Sequence, residues 1–175
     1  VDVIGTNSLL EECGLIRIID EVFRRLSLRV AIKLNNRKVL QGIADVIGAH
    51  DNFTSFTVAI DKIDKIGWEG VKSELISNGF SSDSCEKLQT ILALQDNPTS
   101  LICHLRPLFA QSATGLIGLD ELTSLFNYLD AFNIACPIEF DLSLARGLNY
   151  YTGAIFEVKA LDVEIGSTCG GGRYD

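Results

Sequence analysis

Residues 28–34 read L-R-V-A-I-K-L, with Leu28, Val30, Ile32 and Leu34 alternating against Arg29, Ala31 and Lys33. A period of two predicts a strand that buries one face, because successive side chains of an extended chain point to opposite sides. Upstream, Leu9, Cys13, Ile16, Ile19, Phe23 and Leu26 recur every three or four residues, which predicts a helix with one apolar face. Ser8 and Glu11 stand in S-x-x-E spacing and predict a capping box at its start. Before them lies a short apolar run, V-D-V-I-G, ended by Gly5. Downstream, a second helix is expected after Asn35, running towards Gly48. Strands return near the other end, where Ile138, Phe140 and Leu142 alternate with Glu139, Asp141 and Ser143, and where residues 154–160 read A-I-F-E-V-K-A. Strands and helices in this order predict a mixed domain of the α/β or α+β kind.

Between these ends the chain changes character. Residues 51–132 are helical in period throughout, with breaks at Gly67, Asn78-Gly79, Asn97-Pro98 and Gly115. Pro98 suits the first turn of a helix, where its missing N–H is not needed, and Pro107 predicts a kink or an early end. The expected organisation is residues 1–50 as the first part of a core, 51–132 as an all-helical insertion, and 133–175 as the second part of the core. The same periodicity is equally compatible with helices that simply cover the sheet.

Composition excludes several classes. With 47% hydrophobic residues in 175, the chain can bury a sizeable core, and disorder is excluded. Charged residues interrupt every apolar run, so no membrane span is expected, and no signal peptide is visible. A net charge of −8 argues against a free-standing nucleic-acid binder. The five cysteines form no C-x-x-C pair, and His50 and His104 have no ligand partners at metal spacing. Reduced, largely buried thiols are expected, with Cys13 the most protected, and no metal site is expected. There is no methionine, which implies a chain processed or cut from a longer one.

The chemistry concentrates in L-A-R-G-L-N-Y-Y-T-G, residues 144–153, and in the terminal G-G-G-R-Y-D. Arg146 beside Gly147 sets a guanidinium next to backbone that a ligand can approach closely, and arginine suits bidentate contact with carboxylate or phosphate oxygens. Tyr150 and Tyr151 are adjacent, so on a strand one ring would pack while the other lines a pocket. Arg173 and Tyr174 follow a glycine run read as flexible; it is not a phosphate-binding loop of the G-K-[ST] type. Spacing alone supports an anionic small-molecule site and a structural salt bridge equally well.

The residues go further than the spacing. R-G-L-N-Y-Y-T-G followed by A-I-F-E, with G-S-T-C-G-G-G-R-Y-D about twelve residues on, resembles the two histidine-specific signatures of the histidyl-tRNA synthetase family. V-D-V-I-G is similar to the end of that family's second class II motif, K-L-N-N-R-K-V-L-Q-G-I to the strand and helix after it, and I-D-K-I-D-K-I-G-W-E-G-V to the helical insertion of eukaryotic-type members. The resemblance implies an α+β class II catalytic domain with an antiparallel sheet and flanking helices. It further implies ATP-dependent activation of L-histidine to histidyl-adenylate and transfer to tRNA(His), with Mg2+ accompanying ATP, in a cytoplasmic or organellar homodimer. By the same resemblance, Asp2 contacts the substrate histidine, Arg146 meets the α-phosphate and the substrate carboxylate, and Tyr150 and Tyr151 border the histidine pocket. Arg173 and Tyr174 fall in the second signature.

Asn149 departs from the family, which usually has Asp there, and so leaves an amide beside Arg146. The first and third class II motifs, the arginine-bearing loop of the second and the anticodon-binding domain are not recognisable. This stretch by itself is therefore expected to be an internal, inactive piece of a synthetase. Two further readings remain. The synthetase-like regulatory subunit of ATP phosphoribosyltransferase is expected to lack the helical segment, and a degenerate tRNA-sensing domain is expected to erode R-G-L-x-Y-Y.

Overall fold

A computed structural model of the chain describes residues 1–147, 150–163 and 165–174. Asn149 lies outside them. At the centre is β1 (Val30–Asn36), with β2 (Ile138–Phe140) on one side, β3 (Ala154–Ala160) on the other and β4 (Ser167–Gly172) beyond it. The β1–β3 and β3–β4 pairs are antiparallel, whereas β1 and β2 run parallel, in register Ile32 to Ile138 and Leu34 to Phe140. The fold is α+β, as expected, with a mixed sheet in place of a wholly antiparallel one. A parallel pair cannot be closed by a hairpin, and the long helical stretch supplies the crossover.

Helix α1 (Leu10–Arg25) precedes β1, and α2 (Arg37–Val46) follows it directly. Asn36 ends the strand and caps the helix, its side chain accepting from the Lys38 backbone N–H at 2.9 Å. The capping box foreseen for α1 does not form. Ser8 Oγ accepts from the Leu10 N–H at 3.3 Å, and the residue at the cap position, Leu9, has no side-chain acceptor. After a short 3-10 turn at His50–Asn52 come α3 (Phe53–Ile60), α4 (Ile63–Ser77), α5 (Ser82–Leu92), α6 (Pro98–Leu108) and α7 (Ala113–Ala131). The sequence breaks fall where glycine and proline place them: Gly67 has a φ of 66° inside α4, Pro98 opens α6 and Pro107 sits in its last turn.

Helix α7 packs against α2 through glycines. A methyl group on Gly115 would lie 2.7 Å from the Gly42 Cα, and one on Gly118 would lie 2.7 Å from the Val39 nitrogen. The backbones therefore touch, and the fully buried Phe109 ring fills the space beside them. One continuous hydrophobic cluster runs from Cys13 and Ile16 of α1 through β1 and β3 to Leu88, Leu105, Leu119 and Leu122 of the helical stretch.

Strand β1 is buried on both faces, contrary to the one-sided expectation. Ala31 and Asn35 are as inaccessible as Ile32 and Leu34, because the chain after β2 folds back over them. The Asn35 amide holds that segment by donating to the carbonyls of Leu142, at 3.4 Å, and Leu144, at 3.0 Å. The glycine run is likewise not a loose turn. Residues 170–172 all pair with β3 as part of β4, and a Cβ at Gly171 would come within 2.5 Å of the Phe156 ring.

The thiols are all free, and their exposure grades them. Cys13 and Cys85 are buried, Cys136 and Cys169 half-buried, and Cys103 exposed, which departs from the expectation of general burial. Burial pushes the Cys13 thiol up to about 11 and that of Cys136 up to about 12. An alkylating probe at neutral pH is expected to modify Cys103 first and Cys13 only on unfolding, as read by peptide mass mapping. For packing, Gly115→Ala should cost about 1–3 kcal/mol in denaturant unfolding, since it forces two helix backbones apart. Gly14→Ala, on α1 where nothing lies within 4 Å of the added methyl, should be neutral or stabilising by up to about 1 kcal/mol.

Candidate active site

Register sorts the sheet into two surfaces. Leu34, Phe156 and Gly171 are cross-strand partners and share one face; Lys33, Glu157 and Gly170 share the other. The first face is apolar and meets α1. The second is charged at its centre, and the signature residues gather around it and around the open edge of β4.

Arg173 and Tyr174, adjacent at the end of β4, diverge to these two surfaces. Arg173 turns beneath α1, where Nε donates to Glu12 Oε1 at 2.6 Å and Nη2 to Glu12 Oε2 at 2.8 Å. Nη2 also reaches the Ser8 carbonyl at 2.9 Å. Glu12 is buried, so this bidentate pair ties the strand end to the helix start. Tyr174 turns the other way. Its hydroxyl lies 2.7 and 2.8 Å from the two carboxylate oxygens of Asp2, to which it donates, and its ring stacks on Tyr150 with centroids 5.3 Å apart. The hydrogen bond to Asp2, with the carboxylate charge behind it, holds the Tyr174 phenol above its ordinary pKa.

Tyr150 and Tyr151 meet edge to face at 5.2 Å. They lie in the turn before β3, not on a strand, so the expected split to opposite faces does not occur. Gly147 makes this possible: its φ is 70°, and a Cβ there would fall 2.0 Å from the Tyr151 ring. Asp2, Tyr150, Tyr151, Arg173 and Tyr174 border one cavity of about 490 Å³ that wraps the end of β4.

Arg146 is not on the wall of that cavity. Its Nε lies 3.3 Å from Glu157 Oε2; the arginine side chain is 46% exposed while that of Glu157 is 8% exposed. Asp141, the acid five residues before Arg146 in the chain, is engaged elsewhere, with Lys33 and with Ser143. Burial pushes the Asp141 carboxyl up, but the Lys33 ammonium and the Ser143 donors outweigh it and hold it below the usual carboxylate range. Lys159 pairs with Asp64 of α4. Sequence reasoning missed Glu12, Asn35 and Glu157. The signal for Glu157 was present as one acid inside the apolar run A-I-F-E-V of β3. Among the described residues no three His, Cys, Asp or Glu side chains cluster as a metal site, and no helix is long and apolar enough to cross a membrane.

Comparison with known proteins identifies the family. The family model for histidyl-tRNA synthetase matches residues 1–175, and the chain belongs to that family. A histidine–tRNA ligase of Bacteroides fragilis (strain YCH46) is 52% identical over 174 residues, which cover 99% of this chain and 38% of the relative. The crystal structure of histidyl-tRNA synthetase from Nostoc sp. PCC 7120 superposes with a TM-score of 0.90 at 30% identity, covering 97% of this chain and 41% of that one. A Bacillus halodurans chain described as an ATP phosphoribosyltransferase regulatory subunit/histidyl-tRNA synthetase shares the fold, with a TM-score of 0.81 at 23% identity over 99% of this chain and 45% of its own. That match includes the helical stretch, so the stretch does not separate the regulatory reading from the enzymatic one.

Arg173→Ala should leave the Glu12 carboxylate buried without its fork and destabilise the chain by about 3 kcal/mol in urea unfolding. Arg173→Lys should recover only part of that loss, because an ammonium cannot engage both oxygens in parallel.

Proposed function

We propose that this chain forms the histidine-binding part of a histidine–tRNA ligase, which activates L-histidine with ATP and transfers it to tRNA(His). The observation that carries the reading is the assembly, around one strand end, of Asp2, Tyr150, Tyr151 and Tyr174, with Arg146 on the neighbouring stretch of the same signature. The chain spans about two fifths of the relatives it matches, so the activity belongs to a longer protein carrying these residues. Residues 51–132 act in it as an inserted helical domain within the β1–β2 crossover, and the working form is a cytoplasmic homodimer.

An imidazole offers an N–H donor on one ring nitrogen and an acceptor on the other. Asp2, held by Tyr174, accepts from the first, and a tyrosine hydroxyl at Tyr150 or Tyr151 faces the second. Apolar competitors would leave these polar groups unpaired, which discriminates more strongly than shape. Attack of the histidine carboxylate on the α-phosphate of ATP accumulates negative charge on the phosphate oxygens, and the permanently charged Arg146 stabilises it. Pyrophosphate leaves; a ribose hydroxyl of the tRNA then attacks the acyl carbon of the adenylate, taking the histidyl group as an ester while AMP departs. Among the described residues no three His, Cys, Asp or Glu side chains cluster to hold the Mg2+ that accompanies ATP. The regulatory reading is disfavoured by the 52% identity to a named ligase and the preserved R-G-L-x-Y-Y.

In the full-length protein, histidine-dependent ATP–pyrophosphate exchange is the expected activity. Arg146→Ala should slow adenylate formation by roughly 10²- to 10³-fold with a smaller change in the histidine KM. Absence of exchange in the unmodified protein, or a destabilised Arg146→Ala variant with normal turnover, refutes the assignment.

A further inference from the structure

We propose that Glu157 is the positioning residue that aims Arg146. The inference rests on the reading that Arg146 meets the α-phosphate. Glu157 sits in the middle of β3, hydrogen-bonded on both sides through the ladders with β1 and β4, so its Cβ is among the most rigidly placed on the charged face. Its carboxylate is buried, and a buried charge without a partner is costly. The cations that could satisfy it from the neighbouring elements are committed elsewhere: Lys33, its cross-strand partner on β1, pairs with Asp141, and Lys159 of its own strand pairs with Asp64. On the other flank stands Gly170, which brings no side chain. Among the described residues, the ion pair of Glu157 is with Arg146.

The atoms in contact matter. The ion pair runs from Nε, on the inner edge of the guanidinium, to Glu157 Oε2 at 3.3 Å, and the paired Nη groups at the outer end of the fork suit a bidentate contact with phosphate or carboxylate oxygens. The exposed arginine is thereby tethered by its inner edge and open at its outer one. Fixing the side chain before ATP arrives removes an ordering cost from the transition state.

The test measures single-turnover adenylate formation, histidine KM and melting temperature in the full-length protein for Glu157→Gln, Glu157→Asp, Arg146→Ala and the Arg146→Ala/Glu157→Gln pair. Glu157→Gln is expected to slow adenylate formation by about 10- to 100-fold with little change in KM, and Glu157→Asp to recover part of the rate. The double variant should be no slower than Arg146→Ala alone, because Glu157 acts only through the arginine. A Glu157→Gln rate within twofold of the parent, losses that multiply in the double variant, or a fall in melting temperature with unchanged rate overturns the proposal. If Arg146→Ala itself leaves the rate unchanged, the underlying reading of Arg146 fails, and the two failures are thereby distinguished.

Discussion

The parallel pairing of β1 with β2 is the constraint on which the rest of this molecule depends. Two parallel neighbours must be joined by a chain that leaves one end of the sheet and returns to the other. Here that chain is the run from α2 to α7. Its helices have to lie against the sheet and against one another, and the tightest point is the approach of α7 to α2 at Gly115 and Gly42, where no side chain intervenes. Close backbone packing at that point lets a long connection behave as part of the core, as the single cluster joining Ile32 and Leu34 to Leu119 and Leu122 shows. The helical segment is an excursion in sequence and a buttress in space.

The same constraint shapes the site. With β2 held beside β1, the segment after it crosses back over β1, where Asn35 grips its carbonyls. Arg146 stands at the end of that segment. From there the chain passes through Tyr150 and Tyr151 into β3, and β3 pairs with the glycine strand that ends in Arg173 and Tyr174. Arg173 and Tyr174 are therefore placed by the β3–β4 ladder, and Tyr150 and Tyr151 by the turn that feeds β3. The charged face is a set of pairs, Lys33 with Asp141, Arg146 with Glu157 and Lys159 with Asp64, laid across strands whose other face is apolar. Such a face is expensive to assemble unless every member is satisfied, and in this arrangement the arginine, like the Lys159–Asp64 pair, stays partly open to solvent.

Much of this was legible in the residues. The strand at residues 30–36, the helix after Asn35, the helical breaks at Gly67 and Pro98 and the strand at 154–160 all carry local signals, namely periodicity, a cap, a glycine with positive φ and β-branched alternation. What was not legible depends on contacts distant in sequence. Alternation at 28–34 suggested one buried face because nothing local announces that residues 142–145 will cover the other. The run G-G-G reads as flexible because glycine carries no strand propensity, yet β4 needs glycine where the Phe156 and Tyr151 rings press against it. Tyr150 and Tyr151 were assigned to opposite faces by strand geometry, and a left-handed Gly147 turns them together instead.

The fate of Arg146 shows why motif residues and their partners differ in legibility. An arginine followed by glycine and two tyrosines is conspicuous, since its residue types are unusual together. Its partner is a single glutamate in the A-I-F-E stretch that follows the motif, and the strand it belongs to brings the two together. Along the chain a nearer acid is available, Asp141, five residues before the arginine. Yet Asp141 follows β2 directly and lies beside Lys33, which neutralises it, while Glu157 comes up from the next strand but one with its own lysines already engaged. Charge balance across the sheet, not proximity along the chain, selects the pair. A buried acid flanked by committed cations therefore has to recruit the remaining arginine, and the exposed end of that arginine is where an anionic substrate can be met.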